Sequence, residues 1–149
     1  MDYCDKKIEI LENPNARKSL EDICNGNADA FEFVWRCWNF FHLMDDLVDK
    51  DKDVKLEEAS RELFFYTASI AFNPFFQTYK NQLLPFILNA CNGWIIGEEW
   101  GESESKTEKQ ISPAIKCSDF NLYSYVSFLT GGWSNMRSSD KKFRTYDKE

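Results

Sequence analysis

Five aspartates crowd one short stretch of the chain: Asp45, Asp46, Asp49, Asp51 and Asp53. Carboxylate oxygens gathered this closely are the donor set of hard divalent cations such as Mg²⁺ and Ca²⁺. A helical pattern over residues 28–50 puts the first three in the last turns of a helix. That end already carries roughly half a negative charge, so each acid there is unfavourable by about 0.3–1 kcal/mol. The three also repel one another at one- and four-residue spacing. Lys50, Lys52 and Lys55 offset part of this, and a divalent cation would offset more. Helical spacing puts Asp45 and Asp49 on one face, with Asp46 and His42 beside them. His42 is the one histidine, a candidate ligand or general base, although a lone histidine on a packed helix also serves as a hydrogen-bonded core residue. An acidic helix end, solvated and paired with nearby lysines, is the plain alternative to a metal site.

The helix beneath these acids has two faces of interest. At 100° per residue, Phe33, Val34, Cys37, Phe40, Phe41, Met44, Leu47 and Val48 form a core arc. Phe31, Trp35 and Trp38 begin a second arc that continues through Asn39, His42, Asp45, Asp46 and Asp49. One stripe thus changes from aromatic to ligand-like along its length. Glu98, Glu99 and Glu102, on a later helical segment, are the candidate facing carboxylates.

Asp45-Asp46-Leu47-Val48-Asp49 spells DDxxD. On a helix with aromatic residues below, it resembles the aspartate-rich motif of class I isoprenoid (terpene and prenyl) synthases. The resemblance covers mainly residues 31–53 and implies a truncated helical cup. Asp45, Asp46 and Asp49 would hold Mg²⁺, the metal would grip a diphosphate, and Phe31, Trp35, Trp38 and Asn39 would wall the pocket. In this looser sense the chain looks like a small phage-encoded relative of that fold. It departs from the family pattern in two ways. The second metal motif is missing, since Asn89 leads to Gly93 and Gly97 and Asn92 leads to Ile96 and Trp100. The chain is also roughly half the family's usual length.

Two other metal chemistries fit parts of the same stretch. Asp49, Asp51 and Asp53 match the first, third and fifth positions of an EF-hand loop, but Val54 replaces the required glycine and Ser60 the bidentate glutamate. Asp46-x-x-Asp49 and Glu99-x-x-Glu102 resemble, in reverse order, the acidic pairs with which all-α nucleotide pyrophosphohydrolases hold Mg²⁺ and activate water on a phosphate.

The elements that must position these groups are helices throughout. No alternating strand pattern, hairpin signal or internal repeat is present. Asn13-Pro14 predicts a helix start, with the first helix stopping near Gly26; Asn27 caps the second and Asp53 the third. Asn73-Pro74 ends the third and opens a short one, and Pro85 opens another to about Gly101. Residues 102–110 are expected as a polar loop. Ser112-Pro113 is expected to start a helix ended by Gly131-Gly132, with a last short helix at 140–146. The stripe Ala90, Gly93, Gly97 and Gly101 predicts close helix packing, or else a pocket floor. At 149 residues and 43% hydrophobic content, a single helical domain over 1–149 is expected, an all-α compact bundle of about six helices.

The net charge of −7 argues against nucleic-acid and anionic-membrane partners. Arg137, Lys141, Lys142, Arg144 and Lys148 make the last segment basic, as a solvated tail or an anion contact. Five scattered cysteines without metal spacing, charges breaking up the N-terminus and the lack of a spanning apolar run point to a cytoplasmic protein. The expected function is Mg²⁺-dependent binding of a diphosphate or phosphate ligand. The alternative from another class is a non-catalytic helical protein that binds a protein partner.

Overall fold

A computed structural model describes residues 14–50 and 53–144. These form six helices: α1 (Pro14–Ile23), α2 (Ala28–Asp49), α3 (Leu56–Phe72), α4 (Pro74–Gly101), α5 (Lys106–Lys116) and α6 (Asp119–Phe143). No strand occurs among the described residues, and the all-α bundle is as expected. No described helix is long and apolar enough to cross a membrane.

The start of α2 follows the sequence closely. Asn27 Oδ1 accepts the Ala30 N–H at 2.9 Å, supplying one of the orphan donors of a helix N-terminus with a partner. Lys50, in the left-handed region at φ 55°, closes the other end by donating its N–H to the Asp46 carbonyl. Phe33, Val34, Cys37, Trp35 and Trp38 of α2 are buried together with Leu20 and Ile23 of α1, Leu83 of α4, and Leu122, Tyr123 and Val126 of α6. The core thus lies between α1, α2, α4 and α6. Helix α3 sits outside it, with no buried residue, joined through Tyr66, which stacks on Phe40 at 4.2 Å, and Ile70.

Several boundaries differ from expectation. Asn73 caps α4, accepting the Phe76 N–H at 2.9 Å, but that helix is long rather than short. It runs through Pro85 to Gly101, with a local break at Tyr79 (φ −113°, ψ 15°). Lys55, not Asp53, stands at the cap position of α3, and no side chain caps it. The polar segment 106–110 is helical because Ser105 caps it, accepting the Glu108 N–H, so α5 begins there and carries Pro113 inside. Helix α6 opens after Ser118 rather than at Ser112.

Gly131-Gly132 bends α6 instead of ending it. Gly132 takes φ +73°, open to glycine at no steric cost. The carbonyls freed by the kink find a side chain. The Asn135 amide donates to Ser127 O at 2.8 Å and to Ile23 O at 3.1 Å, and Thr130 Oγ1 also donates to Ile23 O at 2.9 Å. The kink therefore doubles as the cap that closes the C-terminus of α1. The Asn13 cap, Asp51, Lys52, Cys4 and Lys148 lie outside the described residues.

Candidate functional site

The glycine stripe of α4 decides where the site forms. A Cβ on Gly97 would lie 2.7 Å from Lys116 Cβ and 2.9 Å from its Cα; one on Gly93 would lie 2.8 Å from the Ile115 carbonyl and against the Ser118 side chain. Ser112 Oγ donates to the Gly97 carbonyl at 2.6 Å. The end of α5 and its turn into α6 therefore rest directly on the backbone of α4. The stripe is a helix-packing surface, not a pocket floor.

That contact delivers Lys116 to the acids. Its Nζ lies 2.8 Å from Asp45 Oδ1 and 3.5 Å from Asp49 Oδ2, and it also pairs with Glu98 Oε1. One carboxylate oxygen from each of Asp45, Asp49 and Glu98 falls within 4.8 Å of the others. Trp94 Nε1 donates to Asp45 Oδ1 at 3.4 Å, and the ammonium lies 5.9 Å from the centre of the Trp94 ring. Three helices thus contribute to one cluster: α2 through two aspartates, α4 through Glu98 and Trp94, and α5 through the lysine. Partial burial lowers the Lys116 pKa, but the hydrogen bonds and charges of Asp45 and Glu98 outweigh it and hold the pKa above the usual lysine range.

The donor set suits a hard cation, since three carboxylates from two helices leave room for the waters Mg²⁺ retains. The ammonium at their centre does a cation's work and neutralises one of the three charges. A metal entering here would have to displace it.

Several expected site residues lie elsewhere. Asp46, the middle acid of the motif, lines a shallow depression of about 360 Å³ with Leu47, Lys50, Asp53 and Val54. It is not part of the carboxylate cluster, because one step along a helix turns a side chain by 100°. Glu99 and Glu102 are outside the cluster as well. The four-carboxylate arrangement of Asp46, Asp49, Glu99 and Glu102 is accordingly not formed. Asp53 faces the depression while Asp49 faces Lys116, so these two do not converge as an EF-hand pair.

His42 is exposed rather than a core residue. Its Nδ1 is 2.9 Å from the Trp38 carbonyl, which makes Nδ1 the donor, and its ring lies 4.0 Å from that of Trp38. It is outside the carboxylate cluster. Trp35 and Trp38 are buried core residues and not the wall of an open cup. Phe31 is half-buried and stacks on Trp35 at 6.0 Å. Asn39 is half-buried, and its Oδ1 finds no hydrogen-bond donor among the described residues.

A second group of ionisable residues lies inside the bundle. Asp119, at the first turn of α6, is buried, and desolvation raises its pKa to about 6. The Tyr123 hydroxyl, the nearby His42 and the N–H groups of Asp119 and Phe120 moderate the rise. Tyr123 is fully buried, and its pKa lies well above the usual tyrosine value, first from burial and then from the Asp119 charge. Burial likewise raises the thiols of Cys37 and Cys91 and pushes Cys24 up to about 12, so these cysteines behave as neutral packing groups.

Neither Lys116 nor Asp119 stands out in the sequence. A lysine in the last turn of a helix is ordinary, and only the stripe Gly93, Gly97 and Gly101 hints that something must come close to α4. The chain matches no protein-family model, no curated protein and no solved structure.

Proposed function

We propose that this protein binds a divalent metal ion, with Mg²⁺ the best match to the donor set, and through it a phosphate or diphosphate group. The observation that carries this reading is the convergence of Asp45, Asp49 and Glu98 from two helices within 4.8 Å. With Lys116 counted, the cluster still holds excess negative charge, so a divalent cation is electrostatically favoured there. A displaced Lys116 would supply positive charge for the oxygens of a bound phosphate. The resemblance of the DDxxD stretch to the aspartate-rich motif of isoprenoid synthases supports this reading. Trp35 and Trp38 are packed in the core, so they do not form an apolar pocket beneath the cluster.

The test is thermal unfolding with EDTA, Mg²⁺, Mn²⁺ and Ca²⁺, each with and without inorganic diphosphate, beside the double variant Asp45→Asn/Asp49→Asn. Metal at one hundred times its dissociation constant stabilises a specific site by about 2.7 kcal/mol. A Mg²⁺ response that diphosphate enlarges and the double variant lacks is the expected result. No response to any cation would remove the reading.

A second reading, a non-catalytic helical protein that acts by binding another chain, is favoured by the exposed apolar surface of α3. In that case the three carboxylates and Lys116 are a clamp that holds α2, α4 and α5 together.

A further inference from the structure

Helix α3 is rich in apolar residues, yet none of them is buried. Leu56, Phe64 and Phe72 are 83%, 74% and 80% exposed. They are spaced eight residues apart, and Ser60 and Ala68 stand midway between them. Ala68 is exposed and Ser60 half-buried. The five residues Leu56, Ser60, Phe64, Ala68 and Phe72 therefore form a single four-residue ridge in which large and small side chains alternate. Such ridges are the surfaces by which helices interdigitate.

Large–small alternation along one ridge has a specific consequence for self-association. A twofold axis brings the same patch of two molecules face to face, and this works only if the patch complements itself. Here an antiparallel register with Phe64 of one copy over Ala68 of the other also sets Phe72 over Ser60. The symmetry repeats both contacts, so no large side chain of the pair meets another. Two ridges of this kind run side by side when their helices cross at about 50°.

Charge and area are consistent with the same occupant. The chain as a whole repels its copies, with a net charge of −7. On this helix, however, Glu57 is paired with Arg61 at 3.8 Å, and Glu58 and Glu62 lie toward the half-buried flank. At roughly 200 Å² for a large side chain in the open, Phe64 and Phe72, the two large residues that this register pairs, offer on the order of 300 Å²; Leu56 has no counterpart in it, and Leu63 and Phe65 stand about 100° to either side of Phe64. Two such faces bury on the order of 600 Å² together, the small area of a weak, concentration-dependent contact.

We propose that the exposed face of α3 is the contact surface of a twofold dimer of this chain, with Phe64 of each copy seated in the notch at Ala68 of the other. The proposal rests on the reading of α3 as an interface and names its occupant. It is independent of the metal site.

The experiment is sedimentation velocity of the full chain from low micromolar to sub-millimolar concentration, with Phe64→Asp and Ala68→Phe, the fold of each variant checked by circular dichroism. The wild type is expected to reach the mass of two chains. Phe64→Asp weakens the association by at least about tenfold, as loss of a central aromatic anchor does. Ala68→Phe separates self-complementarity from stickiness. It makes the face more apolar but fills the notch, so it also weakens the dimer. Association strengthened by Ala68→Phe would overturn the proposal, as would a single-chain mass at every concentration. In the latter case, binding of a hydrophobic dye by the wild type that is lost in Phe64→Asp keeps α3 as a surface for a different chain. No dye binding removes the interface reading as well.

Discussion

Lys116 Nζ lies 2.8 Å from Asp45 Oδ1, joining the end of α5 to the acidic end of α2. The same ammonium meets Asp49 and Glu98, so the group that stabilises the cluster is also the competitor of any metal ion there. Lys116→Met separates these roles. The methionine keeps most of the aliphatic packing and removes the charge. Without metal, three carboxylates are left facing one another. The groups are a quarter to two-fifths exposed and partly screened by solvent, so the loss is about 1 kcal/mol. With Mg²⁺ the variant is expected to gain more than the wild type gains, because nothing must be displaced. Thermal unfolding in EDTA and in Mg²⁺ measures both. A Mg²⁺ increment no larger than that of the wild type would show that Lys116 does not compete for the site.

Gly97 and Gly101 belong to one stripe but have opposite expectations. Alanine is the better helix former by about 1 kcal/mol. At Gly101 the added Cβ would meet the Ser112 hydroxyl at 3.5 Å, an ordinary contact, so Gly101→Ala is neutral or slightly stabilising. At Gly97 it would press on the backbone of Lys116 at 2.9 Å, and backbone cannot rotate away. Overpacking of this kind costs about 1–3 kcal/mol, so Gly97→Ala is net destabilising. It should also move Lys116 relative to Glu98 and weaken any metal response. Urea midpoints of the two variants decide the matter; equal midpoints would mean that α5 does not rest on α4 at this point.

Asn73 holds two elements at once. Its Oδ1 accepts the Phe76 N–H at the start of α4, and its Nδ2 donates to the Asp29 carbonyl in the first turn of α2. Asn73→Ala should cost about 1–2 kcal/mol, at the upper end for a cap because the residue is buried and both bonds are lost. Ser105→Ala removes a cap at an exposed helix start and should cost less. Chemical denaturation of the pair gives the comparison, and similar losses would show that the tie to Asp29 adds nothing.

What the sequence discloses follows the range of the interaction concerned. The Asn27 cap, the buried Phe33, Val34 and Cys37 of α2 and the Asn73-Pro74 start are local features of spacing and chemistry, and each is formed as expected. Gly131-Gly132 reads as a stop because the carbonyls it frees need partners, and Asn135 and Thr130 meet that need only together with a contact to Ile23, far back in the chain. Asp45 and Asp49 can be paired from their spacing alone. The choice of Glu98 over Glu99 and Glu102, and the arrival of Lys116, depend on how α4 and α5 lie together. Trp35 and Trp38 read equally well as pocket wall or as core, since both uses put an aromatic stripe on one face; only tertiary packing, such as that of Tyr123 against Trp38, decides for core.

Asp119 gives the fold a pH dependence whose sign is fixed by its environment. Burial raises its carboxyl from 3.8 to about 6. From about pH 3.8 to about 6 the folded protein therefore holds a proton that the unfolded chain has released. Stability attributable to this group falls as pH rises through that window and is level above it, the reverse of an ion-paired aspartate. The full change corresponds to about 3 kcal/mol. Asp119→Asn keeps an acceptor for the Phe120 N–H and a polar atom opposite Tyr123, and it cannot ionise. Its stability should lack this decline and should match or exceed that of the wild type at neutral pH. Urea unfolding of both proteins across pH 4 to 7 reads the difference directly. Parallel curves for the two proteins would mean that Asp119 titrates alike in the folded and unfolded chains, and that its surroundings beside Tyr123 are wetter than their burial implies.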